Sequence, residues 1–316
     1  MKVKKLNVKK LVIFCIICLF VLFFIIFGMV KMVKGIKYRF SHEYKLIQIG
    51  YKEEEAKYLS EHLNQEEQNL LLGMEYNSNI YRFAKEEYFV FNKLDSYLSY
   101  YRTNKGTPFN KIVSIINVRG EKDWYDEIEN TDINKGVKML VNKRFRLPND
   151  YEPSDLINLD LSYAFSGIKI SKAMYDDLVE LIDAAKVSGY KLIVSQGYRS
   201  YTSQESIYDK YKKEHGEEQA DEYVARPGHS EYQTGLSIII EPYNKSIPNY
   251  EESEEYQWLI GNCYNYGFIQ RYPVGTEDLT GFETNAWRFR YVGRDISKQV
   301  YDSGLTYEEY YEYNLK

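Results

Sequence analysis

The chain has 316 residues, of which 44% are hydrophobic and 28% charged, and its net charge is −5. These values are ordinary for a globular protein, and the length allows one large domain or two smaller ones beyond a membrane segment. The negative charge argues against nucleic acid as a partner, because phosphate binding needs a clustered positive surface. Of three cysteines only Cys263 lies outside the apolar N-terminal segment, which excludes an intradomain disulfide, and we expect this thiol to be buried.

The N-terminal segment Leu11–Val30 contains 20 residues without a charge. This is long enough to cross about 30 Å of hydrocarbon as a helix. It ends in Lys31 and Lys34 rather than in a small-residue cleavage site, which favours an uncleaved anchor over a secretory signal.

Lysines flank this segment on both sides, so the positive-inside bias favours a cytoplasmic N-terminus only slightly. The first apolar segment of a chain also tends to direct the export of the residues C-terminal to it. We therefore expect a single-pass protein of the cell membrane with its C-terminal domain outside the cell. The expected cytoplasmic tail, transmembrane anchor and linker are residues 1–10, 11–30 and 31–42.

Residues 43–160 are predicted to form an extension of helices and short strands. Glu53–Gly73 has the spacing of two short helices. The aromatic segment Phe83–Tyr101 fits either a helix or a short hairpin. Lys111–Val118 (KIVSIINV) is predicted to be a strand, and Val137–Val141 a weaker one.

Residues 161–316 have the pattern of an α+β domain. Ser171 can cap a helix that ends at Gly189, and Tyr190–Ser195 (YKLIVS) then has the composition of a buried strand. Leu305–Tyr313 is predicted to be a closing helix.

Sequence motifs connect this region to a known family. The segments are Ser195–Tyr201 (SQGYRSY), Pro227–Ile239 (PGHSEYQTGLSII), Tyr266–Pro273 (YGFIQRYP) and Thr280–Gly293 (TGFETNAWRFRYVG). In order and spacing they resemble the VanY-type zinc D-alanyl-D-alanine carboxypeptidases of bacterial cell walls. The resemblance implies an α+β fold with a small, mainly antiparallel sheet flanked by helices and a cleft across it. The transmembrane helix and the helical extension would precede this domain.

The resemblance also locates the family's chemical residues. The family pattern S-x-H-x-x-G-x-A-x-D supplies a histidine and an aspartate to zinc, and these positions fall on Tyr232 and Ile239. The family's E-P-W-H supplies the catalytic glutamate and the third ligand, and these positions fall on Asn285 and Arg288. All four positions depart from the pattern.

These departures predict the loss of both the metal and the catalysis. A catalytic zinc needs about three ligands from histidine and carboxylate groups. Ile239 has no lone pair, and Arg288 stays protonated and would repel a divalent cation. Tyr232 could bind only as a phenolate, against a normal pKa of about 10. Asn285 cannot carry a proton as glutamate does. We expect no zinc and no catalytic residue.

The family positions that contact the peptide keep their residue types, as Arg199, Gln204 and Ser230. Arginine offers a rigid fork suited to a carboxylate or a polarised carbonyl. The alternative is that Arg199 and Gln204 only brace the loop after the strand.

Arg288 is a fourth candidate for substrate binding, since its guanidinium could fill the vacated zinc volume and keep the cleft positive for an anionic peptide terminus. The alternative is that it neutralises Glu231 or Glu241, or turns to solvent. His229 is expected to shape its turn by hydrogen bonding rather than to bind a metal.

The leading hypothesis is a membrane-anchored module that faces the cell wall and does not cut peptides. It would bind the peptidoglycan stem peptide or a protein of the cell wall or membrane. One alternative is an active carboxypeptidase or endopeptidase with a non-standard site. Another is a purely structural interaction module.

Overall fold

The structure, a computed structural model, describes residues 8–243 and 249–316. It divides into two compact units, with the boundary between Lys105 and Gly106. The expected extension ran to residue 160, whereas residues 106–160 pack into the same unit as the C-terminal sheet. Side-chain hydrogen bonds contribute to this packing, since Arg290 donates to the carbonyl oxygens of Val137 and Met139 at 3.0 Å.

The first unit begins with helix α1, Val8–Arg39. Within the described residues, Ile16–Arg39 is long and apolar enough to cross a membrane, a property that anchors and signal sequences share. The helix continues through most of the segment 31–42 that was expected to be a linker. No proline interrupts this segment, so the helix can continue to Arg39. Ser41 then caps the next helix by accepting a hydrogen bond from the Tyr44 amide.

Five short helices complete the described part of the first unit. They are α2 His42–Gln48, α3 Glu53–His62, α4 Gln65–Leu72, α5 Ser78–Ala84 and α6 Leu94–Thr103. The two helices predicted at 53–73 are confirmed, and Asn64 and Glu67 form a capping box at α4. The aromatic segment 83–101 contains helices rather than a hairpin.

The second unit begins with helix α7, Phe109–Asn117, so the prediction of a strand over Lys111–Val118 is wrong. The apolar residues of this segment recur at helical spacing. Ile112, Ile115 and Ile116 are all buried, which a helix achieves and a single strand face does not.

The weaker strand predicted at Val137–Val141 is also wrong. Ile133–Lys138 forms 3₁₀ turns. Side chains bind the carbonyl groups of this segment: the Thr131 hydroxyl donates to Leu140 at 2.9 Å, and the Tyr307 hydroxyl donates to Lys138 at 2.8 Å.

Two small pairs of strands precede the main sheet. The strands are β1 Glu129–Asn130 with β2 Phe145–Arg146, which are parallel, and β3 Leu156–Asn158 with β4 Lys169–Ser171, which are antiparallel.

The main sheet has four antiparallel strands in the order β5-β6-β8-β7. They are β5 Leu192–Gln196, β6 Ser237–Pro242, β7 Phe268–Tyr272 and β8 Asn285–Tyr291. The predicted strand at 190–195 corresponds to β5. A small antiparallel sheet flanked by helices is the fold class that the sequence predicted.

Among the described residues, seven helices surround this sheet. They are α8 Tyr175–Val187, α9 Tyr201–His215, α10 Glu217–Tyr223, α11 Glu254–Asn262, α12 Glu277–Thr280, α13 Arg294–Ser303 and α14 Tyr307–Asn314. Ser171 caps the entry to α8 and α14 closes the unit, both as predicted. The apolar face of α8 packs on the sheet in a core that includes Leu178, Phe289 and, as expected, the buried Cys263.

Candidate functional site

One cavity of about 300 Å³ lies beside the main sheet. Every residue that the sequence assigned to the site lines it. These residues are Arg199, Gln204, Ser230, Tyr232, Ile239, Asn285 and Arg288.

The sheet brings together positions that are far apart in the sequence. Ile239 on β6 lies directly opposite Arg288 on β8 in the antiparallel register. Tyr232 lies in the 3₁₀ turn before β6 and is 1% exposed. The turn ends at Gly235 with φ +69°, where a Cβ atom would lie 3.0 Å from the Ser171 backbone nitrogen. Glycine is therefore required at the bend that sets Tyr232 against the sheet.

Arg199 is held by two neutral amides. Its Nη1 donates to Gln204 Oε1 and its Nη2 to Gln196 Oε1, both at 2.9 Å. Gln204 is buried and donates to the carbonyl oxygen of Ala225 at 2.6 Å. The predicted bracing is therefore present, and both side chains also face the cavity. Because its partners are neutral, the charge of Arg199 is not compensated by these contacts.

Two guanidinium groups lie at the ring of Tyr232. The Cζ atom of Arg199 is 4.5 Å from the ring centre and that of Arg288 is 4.1 Å from it. Burial lowers the pKa of Arg199, and the like charge of Arg288 acts in the same direction. Arg288 Nε and the Tyr232 hydroxyl are buried without a hydrogen-bond partner among the described residues. Such groups are normally satisfied, so the cavity presents donors that lack an acceptor.

A buried ion-pair cluster, in which Arg271 lies between two carboxylates, is adjacent to Tyr272 of the cavity wall. Arg271 Nε is 2.8 Å from Glu231 Oε1, and Arg271 Nη1 is 2.8 Å from Glu308 Oε2; all three side chains are buried. Asn142 Nδ2 also donates to Glu308, at 3.2 Å.

This cluster decides between the two interpretations of Arg288. Glu231 pairs with Arg271, and in the described part of the chain no carboxylate lies within 4 Å of Arg288. The alternative in which Arg288 forms an ion pair or turns to solvent is therefore not observed. Its side chain faces the cavity at the position of the third family ligand.

His229 has the structural role expected of it. Its Nδ1 lies 2.9 Å from the carbonyl oxygen of Asn142, and its ring meets that of Tyr125 edge-on at 5.0 Å. Burial lowers the pKa of His229 to about 4. The imidazole is therefore neutral at physiological pH and fixes the turn before Ser230.

The donor set does not fit a zinc ion. The three family ligand positions supply a phenol, an alkyl group and a guanidinium. Among the described residues, no three histidine, cysteine, aspartate or glutamate side chains lie together in a geometry that could hold a metal. Asn285 stands where the family has its catalytic glutamate, and its Oδ1 accepts a hydrogen bond from the Trp287 amide at 3.1 Å.

Several residues that line the cavity were not predicted from the sequence. The two charged ones among them are Glu222 and Glu283. Glu283 lies two residues before Asn285, and alternate residues of an extended segment share a face, so this position could have been found. Glu222 lies near the end of α10, outside every motif, and only the fold brings it to the cavity.

This chain is similar in sequence and fold to several known proteins. Residues 167–294 match the model of the VanY family, D-alanyl-D-alanine carboxypeptidase. The Bacillus subtilis (strain 168) protein YodJ is 40% identical over 194 residues, which are 59% of this chain and 71% of YodJ.

Two solved structures are also similar. The LdcB LD-carboxypeptidase, whose structure reveals the basis of peptidoglycan recognition, is 40% identical, with a TM-score of 0.56 over 59% of this chain and 91% of LdcB. VanYB in complex with D-alanine-D-alanine is 33% identical, with a TM-score of 0.50 over 56% of this chain and 98% of VanYB. The chain therefore belongs to the VanY family of D-alanyl-D-alanine carboxypeptidases.

Proposed function

We propose that this member of the family binds the peptidoglycan stem peptide without cutting it. One observation carries the proposal. Arg288 is a permanent positive charge with a buried, unpartnered Nε, and it stands opposite Ile239 where two metal ligands of the family would lie.

The chemistry of hydrolysis argues against cleavage at this cavity. The family reaction needs a metal-activated water and a group that accepts and returns a proton. Arg288 cannot accept a proton at physiological pH, and Ile239 offers no donor atom. Asn285 does not titrate. The residues at the family's reaction positions therefore supply neither the nucleophile nor the base.

Binding of a peptide carboxylate would complete the cavity. Arg199 and Arg288 offer two forks whose charges are uncompensated, and the Tyr232 hydroxyl adds a donor. Hydrogen bonds between guanidinium and carboxylate groups are among the strongest in proteins. The complex of the relative VanYB with D-alanine-D-alanine supports a peptide terminus of this kind as the ligand.

We propose further that α1 anchors the chain and that the cleft faces the cell wall. Its length and composition, and the cell-wall substrates of the family, support this orientation. External protease added to intact protoplasts should digest the sheet-bearing unit. Protection of that unit until lysis would contradict the proposed orientation.

Two measurements on the full-length chain in lipid nanodiscs test the absence of cleavage. One is its zinc content after dialysis against a zinc-containing buffer. The other is release of D-alanine from Nα,Nε-diacetyl-L-Lys-D-Ala-D-Ala. We expect neither bound zinc nor release. Stoichiometric zinc together with release that a chelator abolishes would establish an active enzyme instead.

A titration with the same peptide tests recognition. Arg199→Ala should weaken binding at least tenfold, because a hydrogen bond to a charged group contributes about 1.5–3 kcal/mol. Arg294→Ala, which removes a half-exposed arginine outside the cavity, is the matched control. Equal affinity of the parent and Arg199→Ala would exclude Arg199 from the binding site. Failure of the parent to bind any peptide would leave a protein partner as the role of this unit.

A further inference from the structure

Helix α1 is longer than the hydrocarbon layer of a bilayer. The uncharged run Leu11–Val30 contains 20 residues, and as a helix it already fills the hydrocarbon thickness of about 30 Å. The helix then continues through Lys31–Arg39, which adds about 14 Å. The headgroup layer on one side of a bilayer is only about 5–8 Å thick. The end of an upright α1 would therefore project into water.

Apolar side chains continue along one side of this projecting end. Met32, Val33 and Ile36 have the i, i+1, i+4 spacing that places them on one face of a helix, and each is about half exposed. Phe40 comes directly after the helix and is 74% exposed. An upright helix would leave this apolar stripe in water, so the stripe is suited to a cover that the chain itself does not supply.

The junction after α1 joins this stripe to the first unit. The Tyr38 ring meets the Tyr44 ring edge-on, with 5.7 Å between the ring centres, and the Ser41 hydroxyl donates to the Tyr38 carbonyl oxygen at 2.6 Å. These contacts hold the start of α2 against the end of α1. The inclination of α1 in a bilayer therefore also determines how the start of α2 meets the lipid surface.

Another exposed apolar side chain lies at the same corner of the first unit. His42 Nε2 at the start of α2 is 2.9 Å from Asn69 Oδ1 on α4, and the next residue, Leu70, is 54% exposed. The set of exposed apolar residues at this corner is called the juxtamembrane surface, and it consists of Met32, Val33, Ile36, Phe40 and Leu70.

The charges around the juxtamembrane surface are mostly positive. The basic residues between positions 31 and 45 are Lys31, Lys34, Lys37, Arg39 and Lys45, all of them exposed. Glu43 is the acidic residue in this stretch, and it accepts a hydrogen bond from the Tyr38 hydroxyl at 3.2 Å. Two copies of the chain that met on this surface would bring like charges together. An anionic bilayer instead offers an apolar interior beneath negative headgroups.

We propose that the juxtamembrane surface lies in the interface of a bilayer that contains anionic lipids, with the neighbouring basic residues at the lipid phosphates. This inference rests on the proposed anchoring by α1 and adds that the first unit lies against the bilayer. Transmembrane helices tilt by about 20° on average and by up to about 40°. Such a tilt brings the projecting end of α1 down towards the headgroups, where aromatic and basic side chains are favourable.

Fluorescence quenching in nanodiscs that hold the full-length chain tests the inference. A nitrobenzoxadiazole label on Phe40→Cys should be quenched by lipids with a nitroxide near the headgroup. The quenching should be about twofold stronger than for the same label on Val90→Cys, an exposed valine of the same unit outside this surface. The unsubstituted chain gives the background, which should be low because Cys263 is buried and its thiol pKa is raised to about 12.

The lipid composition tests the role of the charges. Adding phosphatidylglycerol to phosphatidylcholine nanodiscs should increase quenching at Phe40→Cys about twofold. This increase should disappear in the fourfold variant Lys31→Gln, Lys34→Gln, Lys37→Gln, Arg39→Gln. It should persist in a control that removes four exposed basic residues elsewhere in the same unit, Lys52→Gln, Lys57→Gln, Arg82→Gln, Lys85→Gln. An increase that survives in the first variant would overturn the inference.

A label on Phe23→Cys, within the uncharged run, separates this inference from the proposed anchoring. Quenching at Phe23→Cys by lipids with a nitroxide deep in the acyl chains, with equal headgroup quenching at Phe40→Cys and Val90→Cys, would overturn the inference and leave anchoring in place. No quenching at Phe23→Cys would overturn both. Disulfide cross-linking of two chains through Phe40→Cys, without lipid quenching there, would identify a second copy as the cover and also overturn the inference.

Discussion

Arg271 and Arg288 lie on neighbouring strands of one sheet, and their surroundings differ in one respect. Arg271 is enclosed with Glu231 and Glu308, each within 2.8 Å. Arg288 is packed on Tyr232, and no carboxylate of the described chain lies within 4 Å of it. The first charge is complete within the fold and the second is not. Buried charges are normally paired, and the unpaired one is the basis of the proposal that this cavity binds an anionic ligand.

The two arginines should therefore have different roles, Arg271 in the stability of the fold and Arg288 in ligand binding. Removing Arg271 leaves two buried carboxylates without a cation. Removing Arg288 leaves no charge behind. Substitutions at Arg271 should therefore change the stability of the fold, whereas substitutions at Arg288 should change ligand affinity.

The largest effect is expected from restoring the family residues at the cleft. The variant Tyr232→His, Ile239→Asp, Asn285→Glu, Arg288→His should bind one zinc ion per chain, because positions 239 and 288 lie opposite each other and all four positions line one cavity. Metal analysis after dialysis measures this. The same variant with Asn285 retained should bind zinc but release D-alanine far more slowly. No bound zinc in either variant would show that the cleft geometry has changed along with its residues.

Arg271→Met should be the most destabilising single substitution in this comparison. Breaking a buried ion pair by removing one partner costs about 3–5 kcal/mol of unfolding free energy. Arg294→Met removes a half-exposed arginine from its pair with Asp177 and should cost at most about 1 kcal/mol. Denaturant unfolding of the two variants gives the comparison. Equal losses of unfolding free energy would mean that the buried cluster stabilises the fold no more than the surface pair does.

Arg288→Met should leave the unfolding free energy unchanged or raise it, since it replaces an unpaired buried charge with an apolar side chain of similar length. Affinity for the D-Ala-D-Ala peptide should fall by about tenfold or more. Thermal unfolding and a peptide titration of the same preparation give both results. A loss of stability as large as that of Arg271→Met would assign Arg288 a structural role and contradict the comparison.

His229 should contribute to stability only through its dependence on pH. Its folded pKa of about 4 lies below the unfolded value of about 6.5, so the unfolded chain binds more protons between these values. The stabilisation is present above pH 6.5 and is lost as the pH falls towards 4. The loss between pH 7 and pH 5 should be about 2 kcal/mol. His229→Gln should reduce this dependence, whereas the exposed His215→Gln should retain it.

The family resemblance of four motifs implied the small sheet, its flanking helices and the seven cleft positions, and all seven positions line one cavity. Periodicity and composition alone indicated only an α+β domain. The prediction was wrong at Lys111–Val118. A short, largely apolar run fits both the strand and the helix pattern, and only the burial seen in the structure distinguishes the two. The prediction was also wrong at Val137–Val141, where side-chain donors such as Thr131 replace the neighbouring strand that the prediction required.

The charges around the cleft could not be predicted in the same way. Arg271 and Glu308 are 37 positions apart, and no local pattern couples them. The sequence placed Arg288 correctly but left open whether Glu231 would neutralise it. Only the position of Arg271 settles this, because it engages Glu231 and leaves Arg288 to the cavity.

The pairing of Arg271 with Glu308 also links the last helix of the unit to the turn beside the cleft. Glu308 belongs to α14, the last helix of the unit, whereas Glu231 and Tyr232 precede β6. Until α14 has been made, Arg271 has one carboxylate in place of two, and Glu231 is held by a cation that is itself incompletely enclosed. We therefore expect the turn that carries Tyr232 to reach its final position only after the last helix has docked.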